Sequence, residues 1–143
     1  MEQKVNTYTF LEEYKEHIKP MLAGVDVFLK TSQYPLCLAD VACVLGVDEE
    51  EVAAILEKIG ATAIWQEVFL DVMERGSSWI CKLYARERQI GSPPTYTASQ
   101  IAYVYNLDED VVKNVYQKMA IKEATSFTLP LIFAQIVIHS HIT

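Results

Sequence analysis

The chain has 143 residues, is 51% apolar and 22% charged, and carries a net charge of −7. That length supports a full hydrophobic core, and that composition excludes an intrinsically disordered chain. The charge is uneven: residues 1–74 hold 5 Lys/Arg against 14 Asp/Glu, residues 75–122 hold 7 against 4, and residues 123–143 add only Glu123, so the first stretch repels phosphate while the second tolerates it.

In chain order, MEQKVNTYTFLEEYKEH has no apolar core region and no cleavage site, so it is expected not to be a signal peptide. The three cysteines, Cys37, Cys43 and Cys81, are an odd number without a secretion signal. They are expected to be free and mostly buried, in a cytoplasmic protein. Thr9 and Glu12 form a capping box that opens an N-terminal helix within residues 1–20, with Phe10, Tyr14 and Ile18 on one face. Pro20 suits the first turn of a second helix, whose apolar face is Met21, Leu22, Val25, Phe28 and Leu29.

SQYP is a loop, followed by LADVACVLGVDEEEVAAILEKI from Leu38. SSWICKLYARERQ reads as a helix capped by Ser77 or Ser78. QIGSPPTYT is the second clear loop, followed by ASQIAYVYNLDEDVVKNVYQKM from Ala98. The run LPLIFAQIVI, Leu129 to Ile138, is about half the length that crosses a bilayer, so it is expected to be buried and no membrane partner is expected. Pro130 favours a helix there and Ile136, Val137 and Ile138 favour a strand; we read a helix.

The two long apolar segments are an internal repeat at a spacing of 60. Ala42 aligns with Ala102, Val44 with Val104, Asp48 with Asp108, Glu49 with Glu109, Val52 with Val112 and Lys58 with Lys118. Weaker likeness extends downstream, ATAIWQEVFLDVM with ATSFTLPLIFAQI at a spacing of 63, and upstream, VDVFL with ICKLY at 55.

Each segment meets the demands of two helices crossing at a tight turn. A small residue stands at the crossing (Ala42, Ala102). A residue tolerant of left-handed backbone follows four later (Gly46, Asn106), then an apolar plug (Val47, Leu107) and an N-cap (Asp48, Asp108). The expected buried stripes are Leu38, Val41, Leu45, Val52, Ile55, Leu56 and Ile59 in the first copy, and Ala98, Ile101, Tyr105, Val112, Val115, Tyr116 and Met119 in the second.

On these residues the chain resembles the bacterial helix-turn-helix superfamily, the fold of repressors and of sigma-factor region four. The likeness covers about twenty residues in each copy and implies transcriptional regulation, although such units also serve in protein contacts. The expected fold is all-α: two tandem helix-turn-helix units packed as one pseudo-symmetric helical domain. Residues 1–20 form the N-terminal helix, 21–77 the first unit and 78–143 the second, with Trp65 and Trp79 anchoring the core between the units.

In this superfamily bases are read by outward residues at and after the start of the second helix. In the first copy these include Glu49, Glu50 and Glu57, anions that closely spaced phosphates repel. We read them as a protein-contact face. In the second copy Lys113, Asn114, Gln117 and Lys118, with Lys82, Arg86 and Arg88 on the preceding helix, are candidate nucleic-acid contacts. Asp108, Glu109 and Asp110 oppose that role, and an ordinary solvated helix face is the plainer reading.

His139 and His141 are spaced as alternate residues, but no CxxC or HExxH pattern accompanies them, so no metal site is expected. There is no GxGxxG, P-loop or GxSxG, so no catalytic residue and no cofactor is assigned. The leading expectation is a cytoplasmic, non-enzymatic regulatory or adaptor protein contacting a protein partner, with the transcription machinery as one candidate. The rival is a DNA-binding transcriptional regulator working through the second copy.

Overall fold

The computed structural model describes residues 8–138. It is mostly helical, with one two-stranded sheet: β1 (Tyr8–Thr9), α1 (Phe10–Glu13), a π-helical turn (Tyr14–Ile18), α2 (Lys19–Thr31), α3 (Leu38–Leu45), α4 (Glu49–Ile59), α5 (Gln66–Arg75), α6 (Trp79–Gln89), α7 (Ala98–Tyr105), α8 (Glu109–Met119), α9 (Leu129–Phe133) and β2 (Val137–Ile138). The chain divides into two compact units, residues 20–92, and residues up to 19 together with those from 93 onward. These limits differ from the 77/78 boundary read from the sequence. α6, expected to open the second unit, packs on α5 and belongs with the first.

In the unit of residues 20–92 the expected turn forms between α3 and α4. Gly46 adopts φ 71, ψ 36, and the Val47 N–H returns to the Ala42 carbonyl at 3.0 Å. Val41, Ala42, Leu45, Val52 and Ile55 are buried, as are Phe69, Val72, Met73, Ile80, Cys81 and Leu83 of α5 and α6. Phe28 of α2 lies 5.7 Å from Phe69, ring to ring. An isolated antiparallel bridge, Leu36 to Ile64, closes the ends of the α3–α4 segment. Gly76 joins α5 to α6 because a Cβ there would lie 2.5 Å from the Cys81 Sγ. Ser78 rather than Ser77 caps α6, accepting from the Cys81 N–H.

In the unit of residues 8–19 and 93–138, α7 and α8 stand 60 positions after α3 and α4, residue for residue at both ends. Asn106 takes the left-handed turn at φ 56, ψ 50, and the Leu107 N–H returns to the Ala102 carbonyl at 2.8 Å. The bridge Tyr96 to Ala124 also lies 60 positions after its counterpart. α9 begins 63 positions after α5, and α6 begins 60 after α2.

Both expected ends of the C-terminal run occur, in succession. Pro130 lies in the first turn of α9, and Val137–Ile138 pairs antiparallel with Thr9 and Tyr8. The helix ends at Phe133, and a turn through Ala134 and Gln135 leads into the strand. The run is not wholly buried: Leu131 is 60% and Val137 56% exposed, while Leu129, Ile132, Phe133 and Ile136 are covered.

Thr9 caps α1 in the expected box with Glu12. The helical backbone does not break at Pro20. It widens just before it, the Lys19 N–H reaching back five residues to the Tyr14 carbonyl. A proline ring clashes with the carbonyl four residues earlier, and a widened turn moves that carbonyl aside.

Several core expectations are corrected. Trp65 (49% exposed) and Trp79 (39%) are not core anchors. Trp65 stands at the extended N-cap of α5, stacked on Tyr34 with its planes 13° apart, an amphipathic ring with one face in water. Trp79 is the first residue of α6, before the buried stripe of Ile80, Cys81 and Leu83 begins. Cys37 and Cys43 are exposed and only Cys81 is buried, because Val41, Ala42 and Leu45 set the inward face of α3 and Cys43 falls off it. Leu38, Leu56, Ile59, Tyr105 and Met119 are half-buried, at the margins of their stripes.

Candidate functional site

The first outward face is that of α4. Asp48 holds the N-cap position, but its side chain makes no capping hydrogen bond. Glu49, Glu50 and Glu57 are exposed, as are Ala53 and Ala54 between them. Three acids in one first turn stabilise a helix through its dipole. Glu51, which sequence reasoning did not single out, has a different task. Its carboxylate accepts from both the N–H and the Oγ of Ser77, each at 2.7 Å, tying α4 to the turn before α6. Those partners are 26 positions apart, and no local pattern announces them.

The second face is that of α8. Here the Asp108 carboxylate does cap, accepting from the Asp110 and Val111 N–H groups. Glu109 Oε2 lies 2.7 Å from Lys113 Nζ and accepts from Ser99 Oγ at 2.8 Å. The Lys113 ammonium, then the Ser99 hydroxyl, holds the Glu109 carboxyl below the usual carboxylate range. In return the Glu109 carboxylate raises Lys113. The best-placed cation of this face is thus already paired with an anion of its own helix. Asn114, Gln117 and Lys118 are exposed beside it.

The remaining candidate cations lie on α6. Lys82 is exposed and Arg86 half-buried. Arg88 Nε is 3.8 Å from Glu74, and its guanidinium lies over the Tyr84 ring, 5.9 Å from the centroid. The Tyr84 hydroxyl and the Glu74 carboxylate raise Arg88 above its ordinary value. Lys82, Arg86 and Arg88 belong to the unit of residues 20–92, whereas Lys113, Asn114, Gln117 and Lys118 belong to the other.

His139 and His141 lie outside the described residues. Among the described residues no group of three or more His, Cys, Asp or Glu is placed to hold a metal ion, and no helix is long and apolar enough to cross a membrane. A depression of about 390 Å³ is lined by Phe28, Ser32, Gln33, Pro35, Leu36, Cys37 and Asp40. Another, of about 330 Å³, is lined by Asp71, Glu74, Arg75, Ala85 and Gln89. No family model, curated protein or solved structure matches the chain.

Proposed function

We propose that α3–α4 and α7–α8 are two helix-turn-helix units produced by internal duplication, and that the chain is a non-enzymatic regulatory or adaptor protein using them for contact with a protein partner. The duplication reading rests on matched helix limits, matched left-handed turns at Gly46 and Asn106, and matched bridges 60 positions apart.

One observation carries the preference for protein over DNA: Glu109 occupies Lys113 at 2.7 Å. A lysine that neutralises phosphate must first leave that carboxylate, and Asp108, Glu109 and Asp110 would then face the duplex. The corresponding turn of α4 is more acidic still, with Glu49, Glu50 and Glu51. A basic protein surface complements such a turn without that conflict.

The test pairs two measurements on the full chain. Labelled genomic duplexes, titrated at physiological salt, are expected to show no saturable site-specific binding. Capture of proteins from the native host is expected to yield a partner that is lost when Glu49, Glu50 and Glu57 are changed to Lys. Nanomolar binding to a defined duplex, abolished by Lys113→Glu with Gln117→Ala, would overturn the proposal in favour of a DNA-reading regulator.

A further inference from the structure

The unit of residues 8–19 and 93–138 is assembled from two pieces of chain with the whole of the other unit between them. The chain passes from unit to unit twice, at Lys19–Pro20 and at Ser92–Pro93. The two pieces meet over a real interface. Phe10 is buried (4% exposed). Phe10 lies edge-on to Phe133 at 4.7 Å and to Tyr105 at 5.9 Å, and Tyr14 lies 5.1 Å from Phe133. The β1–β2 pair continues this contact, with the Phe10 N–H donating to the Ile136 carbonyl at 2.7 Å.

The contrast with the other unit is informative. There α5 is packed by α6, which follows it after only Gly76, Ser77 and Ser78. That link is too short for α6 to come from elsewhere. α9 is packed instead by α1, from the far end of the described chain.

The second crossing has the features of a hinge. Gly91 has φ 79 and Ser92 has φ 46, and the Ser92 N–H turns back to the Glu87 carbonyl. Left-handed backbone is strained for serine. Pro93 and Pro94 come next, and both favour an extended chain before and through them. Straightening this loop releases Ser92.

We infer that the chain forms a dimer by exchange, in which residues 8–19 of one copy dock with residues 93–138 of a second copy, and reciprocally. The hinge is the loop around Gly91–Pro94. Every contact inside the exchanged unit is retained, now between chains, and the pairing closes as a two-fold. The inference does not depend on the helix-turn-helix reading. In dilute solution the tethered pieces find each other first, because they belong to one chain; the dimer forms when chains fold together at high concentration.

The test uses two full-length chains with Cys37, Cys43 and Cys81 replaced by Ala. One carries Tyr8→Cys and the other Ile138→Cys, the pair that faces across the β1–β2 ladder, at a separation suited to a disulfide. The two are refolded together at about 1 mM, separated by size-exclusion with light scattering, and oxidised. The dimer fraction is expected to give the mixed disulfide and the monomer fraction none. In the unaltered chain, Ser92→Gly is expected to lower the dimer share roughly fivefold by removing the strain that opening relieves. Deleting Gly91 and Ser92 is expected to raise it. Absence of any dimer after refolding at that concentration, or a dimer that yields no mixed disulfide, would overturn the inference. A dimer share indifferent to both hinge variants would overturn the hinge.

Discussion

Gly46 and Asn106 hold the same left-handed conformation, φ 71, ψ 36 and φ 56, ψ 50, each at the end of the shorter helix of its pair. Only glycine enters this region freely, and asparagine is among the most tolerant alternatives. Gly46→Val is therefore expected to lower stability by about 1–3 kcal/mol. The loss is backbone strain rather than crowding, because the nearest atom to a Cβ at Gly46 is the Ser78 Cβ at 4.0 Å. Urea titration followed by circular dichroism measures it; an unchanged midpoint would count against a strained turn.

Ala120 ends α8 at φ 56, where Gly60 ends α4 at φ 74. An alanine there carries a Cβ penalty that its counterpart avoids. Ala120→Gly is expected to stabilise the protein by about 1 kcal/mol, seen as a rise of a few degrees in the thermal midpoint. The same change in mid-helix, at Ala53, is expected to be destabilising.

Gly76 has an ordinary φ of −70, so its requirement is space. A Cβ would meet the Cys81 Sγ at 2.5 Å, its Cβ at 3.1 Å and the Val72 carbonyl at 3.4 Å. Gly76→Ala is expected to cost about 1–3 kcal/mol. Part of that cost should vanish in a Cys81→Ala background, since the sulfur is the closest obstacle. A double-mutant cycle reads the coupling, and strict additivity would refute this account.

The Tyr116 hydroxyl donates to the Tyr96 carbonyl at 2.9 Å, and burial, then the nearby Glu123 charge, pushes it up to about 12. The folded state thus keeps a proton that the unfolded state has lost above pH 10. Stability from this group is complete below about pH 10 and falls as pH rises toward 12. Tyr116→Phe should cost about 1 kcal/mol near neutrality and flatten the alkaline decline. Unfolding midpoints between pH 8 and 12 test both statements.

Glu109 offers a check at acid pH. Its carboxyl is held below the usual range by Lys113 and Ser99. A depressed folded value means that its small contribution is present above the ordinary carboxylate range and lost as pH falls through the folded value. Carboxyl-carbon NMR should show Glu109 titrating below the ordinary carboxylate range, and Lys113→Ala should move it up. Because the pair is exposed, the melting midpoint near neutrality should hardly change.

Much of this was legible before the structure. A left-handed turn needs particular residues at particular positions, so Gly46, Asn106, Asp48 and Asp108 located the two turns and their spacing of 60. What failed was long-range. Amphipathic periodicity says that α6 has an apolar face, but not whether that face meets α5 or the segment after it. Trp65 and Trp79 were read as core because they are large and apolar, yet burial depends on where a helix begins. Cys37 precedes α3 and Cys43 falls off its inward face, which a general preference of thiols for burial does not reveal. In the candidate site, the outward acids followed from helical phase alone, whereas Glu51–Ser77 and Arg88–Glu74 join residues that no local pattern relates.

The interrupted layout of the unit holding β1 and β2 sets an order of events during synthesis. Residues 20–92 form a compact unit from one unbroken stretch, so that unit can close while later residues are still being added. Phe10 and Tyr14 leave the ribosome early but have nowhere to go until Tyr105, Phe133 and the strand Val137–Ile138 emerge. For that interval the nascent chain shows a bare aromatic face, the kind of surface that chaperones hold and that neighbouring chains on one message can reach.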